Sequence, residues 1–338
     1  MAIKTTLKLS EARKQARKIQ GDVAKEHDPL AERRKKERQA ENTLQSVCES
    51  YFAREGKKLR TIRERQTTLA RLVYPKLGAR QIDEVRRSDI VRLLDRIEDN
   101  NGPVMADHTL AYLRRVFTWH AGRSDDFRSP IVRGMARTKP AELARDRILS
   151  DDEIRKIWTA ADQMNGCFGA FIKFLTLTAA RRDEAARVRR SEIDGADWTV
   201  PASRNKGKRD NTTPLSKSAQ AIINALPRIG NGDLVFSHDG VRFLGGFSKF
   251  KAKLDQLSGV SGWRLHDLRR TARSLMSRAG VDSDIAERCL GHVIGGVRGV
   301  YDHHSFLEEK RRAFEALAAQ IERIINPKEN VIALRGKQ

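Results

Sequence analysis

No stretch of the 338-residue sequence approaches the roughly 18–20 apolar residues that a membrane-spanning helix needs. The N-terminus, MAIKTTLKLSEARKQARKIQ, carries basic residues without an apolar segment behind them, so it does not read as a secretory signal. Cysteine is scarce. Cys48, Cys167 and Cys289 are odd in number, far apart and without CxxC spacing. That argues against a disulfide framework or a zinc site and fits three small core residues in a reducing cytoplasm. Acidic residues are in deficit: 44 Asp and Glu face 66 Lys and Arg, a formal net charge of +22. A surplus of that size points to a polyanionic partner, and without a membrane signal the expectation is nucleic acid. Neither a phosphate-cradling Gly-rich loop nor a carboxylate cluster with metal-ligand spacing is apparent, so neither ATP nor metal is expected as a cofactor. No internal repeat is evident.

What is present divides the chain into five stretches. Residues 1–42 form a basic helical segment, with a helix opening at Ser10, a break at His27-Asp28-Pro29 and a second charged helix over residues 31–38. Too few large apolar residues lie here to build a core. A solvated helix pair and a basic arm lying on DNA phosphates are equally good readings. Residues 43–130 carry four helical patterns: Leu44, Val47, Cys48, Tyr51 and Phe52; Ile62, Leu69, Leu72 and Val73; Ile90, Leu93, Leu94 and Ile97; and Leu110, Leu113, Phe117 and His120. Gly56, Pro75/Gly78 and Gly102-Pro103 separate them, giving one small all-α domain. Residues 131–147 read as a charged linker. Residues 148–326 are mixed, and 327–338 form a tail.

In the mixed region a capping box, Ser150 with Glu153, opens a helix, and Phe168 to Leu177 reads as a buried helix. Trp198-Thr-Val-Pro and Asn211-Thr-Thr-Pro-Leu flank the turn-forming run Arg204–Asp210, which predicts a β-hairpin with a basic tip. Leu234-Val-Phe236 is a candidate short strand. Ser305 with Glu308 reads as a second capping box, ahead of the apolar stripe Leu307, Phe314, Leu317, Ile321 and Ile324. That stripe fits equally well against its own domain or against a neighbouring protomer. The expected fold is mostly α with a small antiparallel β-sheet.

Four clusters carry chemistry. In Thr178-Ala-Ala-Arg181-Arg182-Asp-Glu184, an Arg at the end of a buried helix calls for an anionic partner, and a guanidinium matches phosphate bidentately. Glu184, three residues on, is close enough to brace Arg181, although taken alone this is also an ordinary surface pair. Lys206, at the hairpin tip, can reach into a DNA groove and protonate a leaving oxygen; alone it is one of several solvated basic residues. In Leu265-His266-Asp-Leu-Arg269, a proton carrier and a phosphate clamp share one helix face. In Cys289-Leu-Gly291-His292, Gly291 reads as a helix C-cap that sets His292 at a turn. Tyr301 follows nine residues later. Of the four tyrosines, it is the one in the second domain; Tyr51, Tyr74 and Tyr112 fall in the helices of the first.

In this order and spacing the set resembles the tyrosine recombinase family of phage and genomic-island integrases over residues from about 43 to 320. The resemblance implies an all-α core-binding domain followed by an α+β catalytic domain. It also implies an Arg–Lys–His–Arg–His/Trp–Tyr active site, carried here by Arg181, Lys206, His266, Arg269, His292 and Tyr301, with Glu184 in support. Lys206 is preferred over Lys208 because it fits the family's R-x-K run ahead of Pro-Leu-Ser216. The implied reaction is metal- and ATP-independent cleavage and rejoining of double-stranded attachment sites through a 3′-phosphotyrosyl link. The implied assembly is a homotetramer on DNA, with an accessory DNA-bending or directionality factor as a further candidate partner. Ala179 departs from the family's T-G-x-R run. Leu9 to Arg34 is similar to the end of an arm-binding domain whose preceding β-sheet portion is absent. Two competing readings are a type IB topoisomerase-like enzyme, with the same nucleophile and no strand exchange, and a non-catalytic DNA-binding protein.

Overall fold

The computed structural model describes residues 42–139, 145–205, 207–292 and 304–327, with the isolated residues 10, 11, 13, 14 and 142. The charged helices expected before residue 39 and the tail from residue 328 fall largely outside the described residues. The chain divides into two compact units, Met1–Ala144 and Arg145–Gln338.

The first unit is helical: α1 (Leu44–Glu55), α2 (Ile62–Leu72), α3 (Arg87–Asn101) and α4 (Pro103–Ala121). Thr43 caps α1 by accepting from the Ser46 N–H at 3.2 Å. The face Leu44, Val47, Cys48, Tyr51 and Phe52 is buried. The α3–α4 reversal depends on Gly102, at φ 83°, and on Pro103 at the first helical position. Ile90, Leu93, Leu94 and Ile97 of α3 and Leu110, Leu113 and Phe117 of α4 join one core. Residues 131–138, part of the expected linker, pack onto this unit. Met135 is buried in its core. The main-chain N–H groups of Arg137 and Thr138 donate to Asp107 at 2.6 and 2.9 Å, and the Arg137 guanidinium pairs with Asp95 and Glu98.

The second unit opens with α5 (Asp151–Asp162), under the reciprocal Ser150–Glu153 box expected from the sequence. α6 (Phe168–Thr178) is buried along almost its whole length. It lies so close to α5 that a Cβ on Gly169 would sit 1.9 Å from the Ala161 carbonyl oxygen, so only glycine fits there. A short α7 (Arg182–Ala185) leads to a three-stranded antiparallel sheet, β1 (Ile193–Asp194), β2 (Asp197–Val200) and β3 (Asn211–Pro214). Trp198 pairs with Thr213 and Val200 with Asn211, so β2 and β3 are the arms of the expected hairpin. Leu234–Phe236 does not extend the sheet: a single bridge joins Leu234 to Arg189. Phe236 is instead a fully buried ring packed against Phe171 and Phe174.

Helices α8 (Lys217–Ala225), α9 (Phe247–Ser258), α10 (Leu265–Arg278), α11 (Ser283–Cys289) and α12 (Leu307–Ile325) complete the unit. Ser305 does not cap α12. The cap residue is Phe306, turned left-handed at φ 52°, with the Arg288 guanidinium 3.7 Å over its ring. Phe314, Leu317, Ile321 and Ile324 are buried in the unit's own core, where α12 packs on α5, α6, α10, α11 and β3. The stripe therefore faces its own domain, while Leu307 at its start is half-buried. All three cysteines are free and buried. Because the stripe is intramolecular, Phe314→Ala should cost the DNA-free protein about 3–5 kcal/mol. Urea unfolding of the second unit measures this, and a loss under about 1 kcal/mol would contradict core packing.

Candidate active site

α6 ends at Thr178, and Ala179 takes up the left-handed conformation, φ 50°. This is where the family pattern has glycine, and the backbone shows why glycine suits the position: an L-residue there costs about 1–2 kcal/mol. The turn delivers Arg181 to the start of α7. Its Nη1 donates to Glu184 Oε1 at 2.9 Å, and Glu184 is itself buried. The brace expected from the i, i+3 spacing is formed.

α10 supplies the next pair. Leu268, Ala272, Leu275 and Met276 face the core, while His266 and Arg269 face an open cleft of about 810 Å³. Arg269 is 6% exposed. Its Nη1 donates to the Ala179 carbonyl at 2.5 Å and its Nη2 to the Leu290 carbonyl, at the ends of α6 and α11. Burial, and then the nearby positive charge of Arg181, pull the guanidinium down to about 10, which still leaves it a cation at neutral pH. No carboxylate among the described residues lies within ion-pair distance of it. Main-chain carbonyls satisfy its N–H groups without cancelling its charge, which leaves that charge to act on an anion in the cleft. His266 is open to the cleft. Partial desolvation, and then the charges of Arg269 and Arg270, hold its imidazole below the ordinary value. It is neutral at pH 7 and free to accept a proton.

α11 ends at Cys289 with Leu290 as its cap, and Gly291, φ 64°, then turns the chain and sets His292 at the cleft. His292 Nδ1 lies 2.6 Å from Glu287 Oε2 and Nε2 lies 3.3 Å from Arg269 Nη2. The His292 and Arg273 hydrogen bonds hold the Glu287 carboxyl below its ordinary range, and Arg273 Nε donates to it at 2.8 Å. A carboxylate only accepts, so Nδ1 carries the hydrogen and Nε2 is the atom turned toward Arg269.

The structure thus brings Arg181, His266, Arg269 and His292 to one cleft. Lys206 and Tyr301 lie outside the described residues, although Gly207, the neighbour of Lys206, lines the same cleft. Of the remaining tyrosines, Tyr51 is core packing against Phe52 and Trp119. Burial raises the phenols of Tyr74 and Tyr112, which moves both away from nucleophilic use. Sequence reasoning missed Glu287 and Arg273. The acidic residue five positions before His292 was the available signal, but it is legible only once the left-handed Gly291 turn is known. Among the described residues, no cluster of three His, Cys, Asp or Glu side chains is placed to hold a metal ion.

The profile of the phage integrase family matches residues 147–308, and that of the phage integrase central domain matches residues 44–126. The chain belongs to the phage integrase family of tyrosine recombinases. The recombinase is 27% identical over 330 residues to the prophage integrase IntA of Escherichia coli, covering 90% of this chain and 76% of that protein. It is 25% identical over 331 residues to prophage integrase IntZ of the same organism, covering 94% and 81%. Among solved structures, its fold is similar to that of lambda integrase in a tetramer bound to a Holliday junction. The TM-score there is 0.63 at 17% identity, over 84% of this chain and 88% of the other. The Tn1549 transposon integrase gives a TM-score of 0.56 at 14% identity, over 80% and 98%.

Within the recombinase, Glu287 is a positioning residue for His292. In Glu287→Gln, a neutral amide no longer favours hydrogen on both ring nitrogens, and the Nε2 donor is weakened. Single-turnover DNA cleavage should then fall about 10- to 100-fold, with partial recovery in Glu287→Asp. A wild-type rate in Glu287→Gln would remove the carboxylate from this account.

Proposed function

We propose that this tyrosine recombinase is an integrase that cleaves and rejoins double-stranded attachment sites through Tyr301, integrating or excising a mobile element. The observation that carries the reading is the convergence of Arg181, His266, Arg269 and His292 on one cleft, with the Arg269 guanidinium buried and lacking a carboxylate. The Tyr301 hydroxyl oxygen bonds to the scissile phosphorus while the bond to the 5′-oxygen breaks, leaving a 3′-phosphotyrosyl link and a free 5′-hydroxyl. That hydroxyl, on a partner strand, attacks the link in turn. One phosphodiester bond is exchanged for another at each step, so no external energy source is needed.

A free phenol has a pKa of about 10, so about one in a thousand is ionised at pH 7, a deficit of roughly 4 kcal/mol. Neutral His266 takes the proton, while Arg181 and Arg269 stabilise the charge that builds on the phosphoryl oxygens. Lys206 protonates the leaving 5′-oxygen, and His292, with hydrogen on both ring nitrogens, gives Nδ1–H to Glu287 and donates from Nε2–H to the phosphate. Exchange between two duplexes calls for four protomers on DNA in the cytoplasm, with an accessory DNA-bending or directionality factor as a further partner. The match to the central-domain profile at residues 44–126 favours strand exchange over a topoisomerase-like relaxation.

Tyr301→Phe is expected to abolish the covalent DNA adduct on nicked suicide duplexes while retaining DNA binding; an adduct formed by that variant would remove Tyr301 as nucleophile. Sequencing the DNA in the wild-type adduct identifies the site. Partial desolvation, and then the arginine charges around His266, fix the sign of the pH dependence. With its pKa depressed, the base stays neutral down through pH 7 and is lost by protonation only below the ordinary imidazole value of about 6.5. Single-turnover cleavage should therefore be level through neutrality and decline below about pH 6.5. An acid limb centred above that value would show that His266 is not the base.

A further inference from the structure

The cleft is lined by more cation than the reaction above uses. Five arginines, Arg145, Arg181, Arg269, Arg270 and Arg273, stand against two carboxylates, Asp146 and Glu287. Most of these arginines are engaged. Arg145 pairs with Asp267 and donates to the Gly262 carbonyl. Arg181 is braced by Glu184, and Arg269 is held by two main-chain carbonyls. Arg273 is divided among Glu287, Ser277 and Ser283. Arg270 differs from them. Among the described residues its guanidinium makes no hydrogen bond or ion pair, and its Nη1 is buried without a partner. A buried N–H of a charged group left without an acceptor is costly; among the same residues, Arg145 also has a buried Nε without a partner, but its Nη2 is engaged, whereas Arg270 has no such bond at any guanidinium nitrogen.

The helix shows which groups Arg270 stands beside. His266, Arg269, Arg270, Arg273 and Ser274 fall at i, i+3, i+4, i+7 and i+8, one continuous face of α10, and all five line the cleft. That ridge runs about 12 Å at 1.5 Å per residue, longer than a single phosphate. Its first part carries the His266–Arg269 pair assigned to the scissile phosphate. Arg270 stands beside that pair with its fork unspent, and a guanidinium fork matches phosphate oxygens in geometry and charge.

We infer that Arg270 binds a second DNA phosphate, a neighbour of the scissile one on the cleaved strand, so that α10 grips the backbone at two successive points. The inference rests on the recombinase reading of the cleft. Two gripped phosphates fix the direction of the strand as well as its position. A single clamp leaves the strand free to pivot, and in-line attack tolerates little pivoting.

The test uses the full chain and a duplex of the sequence recovered from the wild-type covalent adduct, with phosphates replaced one at a time by neutral methylphosphonate. In the wild type, one position beside the scissile phosphate should weaken binding about ten- to hundredfold. Arg270→Gln should weaken binding to the unmodified duplex by a similar factor. It should also lower the slope of log affinity against log salt by about 0.9 and show no further loss at that one phosphonate. Arg270→Lys should recover the slope and only part of the affinity, because a point charge replaces the fork. The inference is overturned if every phosphonate adds its full loss in Arg270→Gln. It is equally overturned if affinity and slope match the wild type, as they would were Arg270 matched only with Asp146. The phosphonate scan on unmutated protein stands even where the variant folds poorly, and a scan with no sensitive neighbour also overturns the inference. Failure of the wild type to form any adduct strikes the recombinase reading first, and this inference with it. A cleaving wild type with additive losses strikes this inference alone.

Discussion

The site depends on one buried cation. The Arg269 guanidinium leaves α10 and is received by the carbonyls of Ala179 and Leu290, at the C-terminal ends of α6 and α11. Helix C-termini carry partial negative charge and unsatisfied carbonyls, so the guanidinium fills a need that those ends have in any case. Three helices are thereby fixed around one fork, and each brings a cleft-lining side chain with it. α6 leads into Arg181, α10 carries His266, and α11 leads into His292. The left-handed residues Ala179 and Gly291 are part of the same device. Each turns the chain directly after its helix, which lets the helix end keep its carbonyls for Arg269 while the following residues proceed into the cleft.

Main-chain dipoles hold Arg269 without cancelling its charge, and the consequences spread through the cleft. Partial desolvation, and then its positive field with those of Arg270 and Arg181, hold the His266 imidazole below its ordinary value, which favours the neutral form that the proposed base requires. Two of the nearby carboxylates, Glu184 and Glu287, are occupied in ways that do not quench the site. Glu184 braces Arg181, and Glu287 takes the Nδ1 hydrogen of His292 while also receiving Arg273. Each carboxylate is spent on orientation, and the net positive charge faces the cleft. Such a preorganised field acts on developing phosphoryl charge without reorganisation at the moment of reaction. It also explains why the bulk excess of 66 basic over 44 acidic residues has mechanistic content: part of it is arranged, not merely solvated.

The features legible in the sequence are those set by local spacing. The i, i+3, i+4 faces of α1 and α3, the Ser150–Glu153 box, the Arg181–Glu184 brace and the His266–Arg269 pair are all decided within one helical turn. Features set by contacts distant in sequence were not legible. Ser305 and Glu308 have the spacing of a capping box, but Phe306, turned left-handed under the Arg288 guanidinium, supplies the cap. Leu234–Phe236 has strand composition, but Phe236 is needed in the aromatic core beside Phe171 and Phe174. The charged run 131–138 reads as linker until Asp107, on α4, is seen to take two of its N–H groups. Glu287 could not be assigned because five residues separate it from His292. That spacing puts two side chains together only after a left-handed turn. Periodicity also left the α12 stripe undecided, since either partner would bury it; burial in its own core settles the matter.

The second unit has one further constraint, at the elements next to the two groups that lie outside the described residues. β3 follows the turn that carries Lys206, and α12 follows the segment that carries Tyr301. These two elements are joined to each other. Lys310 of α12 is buried and donates to the Thr212 carbonyl of β3, and burial lowers its ammonium pKa. Arg311 pairs with Asp197 on β2 at 3.1 Å, and Glu315 accepts from the Lys217 N–H at 3.1 Å, just beyond β3. A buried ammonium facing a main-chain carbonyl is costly to misplace, because moving either element strands a desolvated charge. The hairpin and the C-terminal helix are therefore held as one body. In the reaction proposed, the proton donor and the nucleophile act on opposite bonds of the same phosphorus. A common anchor for the elements that follow each of them suits in-line displacement.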